Sequence, residues 1–528
     1  MGVSKSVYKH LNEERISMQP RQELDSIVVT AEQMANIEER LFAAGMPVAA
    51  LMEKAALMMS QRIQQLYPLK IASKVGILVG PGHNGGDALV IARELHLQGY
   101  EVGLYRPLAK LKELPQKHAR YADSLGIPYY DDVESLQNCQ LIIDGLFGFG
   151  LTRSLSGNLA MEVDRLNEWS TPVVSIDIPS GLHTDTGEVL GTAVQATHSL
   201  CLGLWKPAYF QDQALAYMGE AERIDFGIPL REVWSIISQP VPLQLLTETL
   251  ALEFLPLSRP QVTHKYQQGH LLVICGSRRY AGGTILTALG AQGSGVGMLS
   301  VAVPESLKPL LVSKIPDGLI IDCPESEKGA IASLPPLATD FDSYDIIACG
   351  PGLTRDGIDV VAKVLKAECP IVLDADALNI LAQLGTGKCL RQRQGTTVLT
   401  PHLGEFKRLF PDIDNPEKDR IGAAKRAASQ SGAIILLKGA RTIIANPQGK
   451  IWIIPQSTPA LARGGSGDVL TGLIGGLLAQ NLRIQHPLDA MVATAAWWHA
   501  KAGMLAAQER TELGVNAGTL CQYLHLIF

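Results

Sequence analysis

KVGILVGPGHNGGDALVIARELHLQGYEVGLY, residues 74 to 105, passes from an apolar run through a glycine-rich turn into an amphipathic stretch and out to a second apolar run. KVGILVG is short and rich in Val and Ile, as a strand covered on both faces is. GGDALVIARELHLQG has helical spacing, and EVGLY is a second strand. Strand, turn, helix and strand in that order make the unit of a parallel sheet with helices on both faces. The unit recurs at QLIIDGLFG and TPVVSIDIPSG, and again beyond residue 265 in HLLVICGS, GMLSVAVP, DIIACGPG, PIVLDADAL, TVLTPHLGE, AIILLKGA, TIIANPQ and KIWIIPQ.

Between 226 and 265 the alternation stops, and five prolines interrupt a stretch with no sustained period. A domain boundary is expected there. A chain of 528 residues exceeds one ordinary core, so the reading is an extension at 1–26, one domain at 27–240 and another at 245–528.

Lys and Arg total 46 against 52 Asp and Glu, a net charge of -6, which argues against nucleic acid as a partner. The eight cysteines form no CxxC pair and several sit in apolar strand-like runs, as thiols in a reducing compartment do. The first 26 residues lack the apolar centre of a secretory signal, although MGVSKS fits the short MGxxxS acylation pattern, a match expected by chance. Ala281 to Val303 is charge-free but interrupted by Gly, Ser, Thr and Gln, so a buried helix and strand are expected rather than a membrane span. A soluble, cytoplasmic protein is expected. The apolar helices VLTGLIGGLLAQ and DAMVATAAWWHAKAGMLAA suit a domain core or a subunit interface, and a homo-oligomer is expected.

Ligands of open parallel sheets bind beyond the carboxyl ends of strands, where this sequence concentrates its glycines and acids. VGPGHNGGDAL, residues 79–89, leads a strand into a helix with free amides suited to phosphate. Asp144 and Asp177 each end a strand and are followed by turn residues. Either is placed for proton transfer, and Asn84, Asp144 and Ser180 offer hard oxygen ligands for a cation. In the second half, Gly464, Gly465, Ser466 and Gly467 precede Asp468 at the start of an apolar helix. Their N–H groups would hold developing negative charge, with Asp468 positioned to take a proton from a hydroxyl, the arrangement phosphoryl transfer to an alcohol needs. CGPGLTRDG, LDADALN, TPHLGEF and LLKGARTII belong to the same crevice, with Lys438 suited to nucleotide phosphates and His402 to substrate. No GxxxxGK[ST] sequence occurs.

Taken in order, GPGHNGGD, DGLFGFGL, DIPSG, HKYQQGHLLVICGS, GPGLTRDG, LDADALN, TPHLGEF, LKGARTIIA and ARGGSGDVLTG resemble the bifunctional NAD(P)H-hydrate repair enzymes, from about residue 27 to the end. The resemblance implies an α/β protein with an N-terminal Rossmann-like three-layer domain followed by a ribokinase-like domain. It implies that the first domain interconverts the R and S epimers of NADHX and NADPHX, and that the second dehydrates the S epimer with ADP or ATP and Mg2+. Phosphorylation of the ring hydroxyl followed by loss of phosphate is the logical route. Carried over by motif, His83, Asn84, Gly85, Gly86 and Asp87, together with Gly148, Phe149, Gly150, Leu151, Thr152, Arg153 and Ser154, would contact the hydrate, with Asp177 the catalytic group. Asn84, Asp144 and Ser180 would ligate potassium. In the dehydratase, Gly283, Gly352, His402 and catalytic Asp468 would meet the hydrate, while Lys438, Gly439, Ala440, Arg441, Thr442 and Gly467 would hold the nucleotide.

The chain departs from the usual pattern at His83 and Ala88 in the first loop, at Thr354 where glycine often follows GPGL, and at Arg463 before GGSGD. Two rival functions stay open: a small-molecule kinase releasing a stable phosphorylated product, and, for the first half, a binding scaffold like those of RNA-decapping proteins. Retention of Asn84, Asp144 and Asp177 argues against the scaffold.

Overall fold

Seven short strands build the first sheet: β1 (Lys74–Val79), β2 (Glu101–Tyr105), β3 (Tyr129–Tyr130), β4 (Leu141–Gly145), β5 (Val173–Ile176), β6 (His198–Leu202) and β7 (Glu220–Ile224). Their order is β3-β2-β1-β4-β5-β6-β7 and every pairing is parallel. Side chains alternate across such a sheet, so Val75, Ile77 and Val79 enter one core with Met52, Met59 and Ile63 of the helix Val48–Leu66. Leu78 and Ile142 enter the opposite core with Val163 and Leu166 of the helix Gly157–Asn167. The computed structural model describes residues 21–528, so the acylation pattern and most of the expected extension lie outside the described residues. Gln22–Ser26 form a 3-10 turn in which Leu24 is fully buried, which makes these residues part of the first unit rather than an appendage.

The second sheet has ten strands: β8 (Leu243–Leu245), β9 (His270–Ile274), β10 (Met298–Pro304), β11 (Leu319–Cys323), β12 (Ile346–Cys349), β13 (Ile371–Leu373), β14 (Thr397–Leu399), β15 (Ile434–Leu437), β16 (Ile443–Ala445) and β17 (Ile451–Ile453). Their order is β11-β10-β9-β12-β13-β14-β15-β16-β17-β8. The pairings are parallel except β15 with β16 and β16 with β17, which are antiparallel. No helix fits between these runs, because Asn446 to Lys450 is a tight turn with Gly449 at φ 92°. The chain divides into two compact units at Val241 and Pro242. The second therefore includes β8, part of which a start at 245 would cut away.

The helices Ser466–Ile484 and Leu488–Gly514 place Val469, Leu473, Leu477, Met491, Ala495 and Trp498 in the core of the second unit. Core packing thus accounts for both apolar stretches. Among the described residues no helix is long and apolar enough to cross a membrane.

Candidate active sites

In each sheet the strand order reverses direction at an interior point, between β1 and β4 in the first unit and between β9 and β12 in the second. Connections leave such a point in opposite directions and open a crevice at the carboxyl ends of the strands. Both units have a cavity there.

The first cavity measures about 430 Å³ and is lined by Gly82, His83, Asn84 and Asp87 after β1, by Leu146 to Arg153 after β4, and by Asp177 after β5. Of the expected substrate-contacting residues, Gly85, Gly86 and Ser154 do not line it; Gly85 and Gly86 are buried at the start of the helix His83–Leu97. Asp177 has φ 67°, a left-handed conformation that costs a non-glycine residue about 1–3 kcal/mol. Surrounding bonds hold it there. Its N–H donates to the Leu200 carbonyl at 2.9 Å, and the Tyr209 hydroxyl donates to its own carbonyl. Its Oδ2 accepts from the Phe149 N–H at 2.9 Å, while Oδ1 accepts from Lys206 Nζ at 2.6 Å and from the Leu202 N–H at 3.2 Å.

Lys206 is fully buried. Burial pulls its pKa down, but Asp177 and its other anionic neighbours together outweigh that and raise it above the ordinary lysine value. Two further carboxyls line the cavity. Glu38, on the helix Ala31–Ala43, is pushed up to about 7, chiefly by burial, against the pull of Lys206 and with a push from Asp177. Asp87 is driven well above the carboxylate range by burial, with Asp177 and Glu38 adding to it.

Beneath the cavity, Asp144 is completely buried and accepts hydrogen bonds from Ser175 Oγ at 2.9 Å, Ser180 Oγ at 2.6 Å, and the N–H groups of Ser180 at 2.9 Å and Leu146 at 3.2 Å. All four donors are neutral. Burial raises the Asp144 pKa, and the hydrogen bonds from Ser180, Ser175 and Leu146 oppose the rise. Asn84 Nδ2 is buried without a hydrogen-bond partner.

The second cavity, about 510 Å³, is lined by Arg279, Tyr280 and Gly283 after β9, Gly352, Thr354 and Arg355 after β12, Asp376 after β13, and Asp468. A Cβ at Gly283 would stand 3.1 Å from Asp468 Oδ2, tighter than an ordinary contact. Gly465 has φ 91° and turns the chain into the helix that starts at Ser466, which places Asp468 in its first turn. Asp468 is pushed up to about 6, first by burial, then by Asp374, with Lys438 opposing and Asp376 adding.

Lys438, read from the sequence as a nucleotide ligand, donates to Asp374 Oδ1 at 2.8 Å, and the Thr471 hydroxyl donates to Asp374 Oδ2 at 2.7 Å. Burial would raise the Asp374 pKa, but Lys438 and the hydroxyls of Thr471 and Thr400 together hold it below the ordinary value. Gly439, Ala440, Arg441 and Thr442 form the turn from β15 to β16, closed by the Thr442 hydroxyl on the Gly439 carbonyl at 3.3 Å. His402 lies outside the cavity lining and is exposed at the N-cap of the helix Leu403–Leu409. There its Nδ1 accepts from the Gly404 N–H at 3.0 Å, and its own N–H donates to Glu405 Oε2 at 2.9 Å, a reciprocal cap.

Thr354 sits at φ 63°, the conformation that accounts for glycine being usual there. Its N–H donates to Asp376 Oδ2 at 2.9 Å. Glu38, Lys206 and His499 escaped the sequence reading, which placed LDADALN in the crevice but gave its Asp374 no role of its own. His499 is buried with Nε2 at 2.9 Å from the Ser466 carbonyl, its pKa lowered to about 4, mainly by burial. For Lys206 and His499 the usable signal was a lone cationic or imidazole residue inside an apolar run, as in LGLWKPAYF and AAWWHA.

Two family models match the chain: one described as NAD(P)H-hydrate dehydratase over residues 271–526, and one described as YjeF-related protein N-terminus over residues 48–208. The bifunctional NAD(P)H-hydrate repair enzyme Nnr of Synechocystis sp. is 56% identical over 497 residues, covering 94% of this chain and 94% of that protein. The chain belongs to the bifunctional NAD(P)H-hydrate repair enzyme family. Another family member, from Thermosynechococcus vestitus, is 50% identical over 94% of this chain and 96% of its own length. Among solved structures, the ADP/ATP-dependent NAD(P)H-hydrate dehydratase of Bacillus subtilis co-crystallised with ATP and Mg2+ is 31% identical, covering 52% of this chain and 94% of that chain with a TM-score of 0.44.

Proposed function

We propose that this protein repairs hydrated nicotinamide cofactors with a division of labour between its two units: the first epimerises R and S NAD(P)HX, and the second dehydrates the S epimer to NAD(P)H with ADP or ATP. The observation that carries the reading is the full-length likeness to a bifunctional repair enzyme, 56% identical across 94% of both chains. Each unit also has its own cavity at a strand-order reversal, with titratable carboxyl groups on its wall.

In the first unit Asp177 is the proton-transfer group. The Lys206 ammonium and the N–H groups of Phe149 and Leu202 fix its carboxylate in one orientation, so no reorganisation is needed at the moment of reaction. Gly148 to Arg153 and His83 would hold the hydrate against it. Asn84, Asp144 and Ser180 suit potassium: Asp144 is a buried carboxylate with only neutral hydrogen-bond donors, and the surrounding ligand set supplies oxygens. The ion would supply positive charge beneath the loop after β4.

In the second unit Asp468 takes the proton from the ring hydroxyl of the hydrate. Its pKa of about 6 makes it a mostly ionised yet effective base at neutral pH. Amides of the segment Gly464 to Gly467 would face the transferring phosphoryl group at the helix N-terminus. Mg2+ would arrive with the nucleotide phosphates, near Asp376 and Asp468. Lys438 acts through Asp374, which it neutralises, as much as toward the nucleotide. Both apolar helices are used in the core of the second unit, so a homo-oligomer would have to pair through other surfaces.

The test supplies purified protein with an R and S mixture of NADHX, ADP or ATP, Mg2+ and K+, and follows NADH absorbance. Complete conversion is expected. Conversion of the S fraction alone would remove the epimerase assignment, and a stable phosphorylated product without NADH would favour a kinase.

A further inference from the structure

Of the three carboxyl groups on the wall of the first cavity, Glu38, Asp87 and Asp177, only Asp177 is ion-paired among the described residues. Lys206 is committed to Asp177 at 2.6 Å, and it is wholly buried behind the cavity wall. Glu38 projects from the helix Ala31–Ala43, part of a different wall, and lines the same cavity as Asp177. Among the described residues it accepts no hydrogen bond and forms no ion pair. Its carboxyl group is therefore available to substrate, facing a cavity that also contains a lysine-paired carboxylate.

Resting on the epimerase reading of this unit, we propose that Glu38 is a second catalytic residue of epimerisation: it is the acid that works opposite the Asp177 base. The hydroxyl-bearing ring carbon of the hydrate is also bonded to the ring nitrogen, so its configuration can be lost by opening that bond. Asp177 takes the hydroxyl proton, the carbon–oxygen bond becomes a carbonyl, and the carbon–nitrogen bond breaks. The electron pair of that bond stays on nitrogen, which takes the proton of Glu38. Rotation presents the other face of the aldehyde. Nitrogen then attacks the carbonyl carbon and returns its proton to Glu38, while the oxygen recovers the proton held by Asp177. Nothing is oxidised or reduced, and both carboxyl groups end as they began.

This division of roles needs one group ionised and one protonated at the same pH, the usual arrangement of paired catalytic carboxyls. The Lys206 contact at 2.6 Å gives Asp177 the role of base. Glu38, at about 7, holds a proton through much of the neutral range. The charged and titratable groups around it are Asp177, Lys206 and Asp87, with His83, Lys112 and Arg153 on the remaining cavity wall.

The experiment uses the full chain without nucleotide, starting from purified S NADHX, and measures appearance of the R epimer by chromatography across pH. Wild type should epimerise, with a rate that falls as pH rises through about 7. Glu38→Gln should lower the rate by about 10²-fold or more, and Glu38→Asp should retain an intermediate rate. With nucleotide and Mg2+ added, dehydration of the S epimer should proceed in both variants as in wild type, and denaturant unfolding of the first unit should match wild type, which verifies that both units of each variant are folded. Epimerisation by Glu38→Gln at the wild-type rate, or an unchanged alkaline limb in that variant, would overturn the proposal. Failure of wild type itself to epimerise would instead strike the functional reading of the whole unit.

Discussion

The two cavities use the same materials in different arrangements. In the first unit the buried lysine, Lys206, pairs directly with Asp177, the carboxylate assigned to proton transfer. In the second, Lys438 pairs with Asp374, the neighbour, and Asp468 is left facing the cavity with no salt bridge among the described residues. The consequence is visible in their acidity. Of the cavity carboxyls without a salt bridge among the described residues, Glu38 and Asp468 are raised to about 7 and about 6, and Asp87 is driven well above the carboxylate range. The difference teaches that the placement of the buried lysine decides which carboxylate of a site is ion-paired and which carboxyl faces the cavity without a salt bridge.

Removing the unpaired group of the second site should have the largest effect. Asp468→Asn is expected to lower dehydration by about 10²- to 10⁴-fold with epimerisation unchanged, measured by NADH formation and by R/S chromatography on one preparation. Equal loss of both activities would mean that the sites are not separate machines. Next, Lys206→Met strands Asp177 as a buried charge without its partner, and should destabilise the first unit by about 3–5 kcal/mol, measured by denaturant unfolding. A shift below about 1 kcal/mol would show that the pair does not control Asp177 and would dissolve the comparison.

Gly283→Ala sharpens it, because the added Cβ stands 3.1 Å from Asp468 Oδ2 and must push that carboxylate aside by a few tenths of an ångström. A loss of about three- to tenfold in dehydration kcat/KM is expected, with no loss of stability beyond about 0.5 kcal/mol. The smallest effect is at Thr354, which has no carboxyl role. Thr354→Gly relieves the φ of 63° but adds backbone freedom to the unfolded chain, so stability should rise by no more than about 1 kcal/mol. A larger change, or any change in epimerisation, would place Thr354 in a role the structure does not give it.

Local features were legible in the sequence. The strand–turn–helix unit of residues 74 to 105 and the ordered motifs carried the α/β architecture, and the position of Asp468 in the first turn of a glycine-led helix followed from GGSGD. The charge and hydrogen-bond partners were not legible, because each comes from a distant part of the chain. Lys206 lies 29 residues from Asp177, Lys438 lies 64 from Asp374, and His499 lies 33 from Ser466. Glu38 left no signal at all, since IEERLF reads as an ordinary helix face until the fold turns one of its two glutamates toward a cavity. The β15-β16-β17 meander also escaped, because an apolar triplet such as IWI reads alike in parallel and antiparallel strands, and only the length of the connection decides.

The most direct test of the account is a pair of pH–rate profiles from one preparation, one for dehydration of the S epimer with saturating nucleotide and one for R/S interconversion without it. Asp468 acts as a base and must be ionised, so dehydration should rise with pH through about 6 and then level off. Glu38 acts as an acid and must be protonated, so epimerisation should fall as pH rises through about 7. Opposite limbs that disappear separately in Asp468→Asn and Glu38→Gln would bear out the selection of proton carriers by the buried lysines. Parallel profiles, or limbs that survive both substitutions, would contradict it.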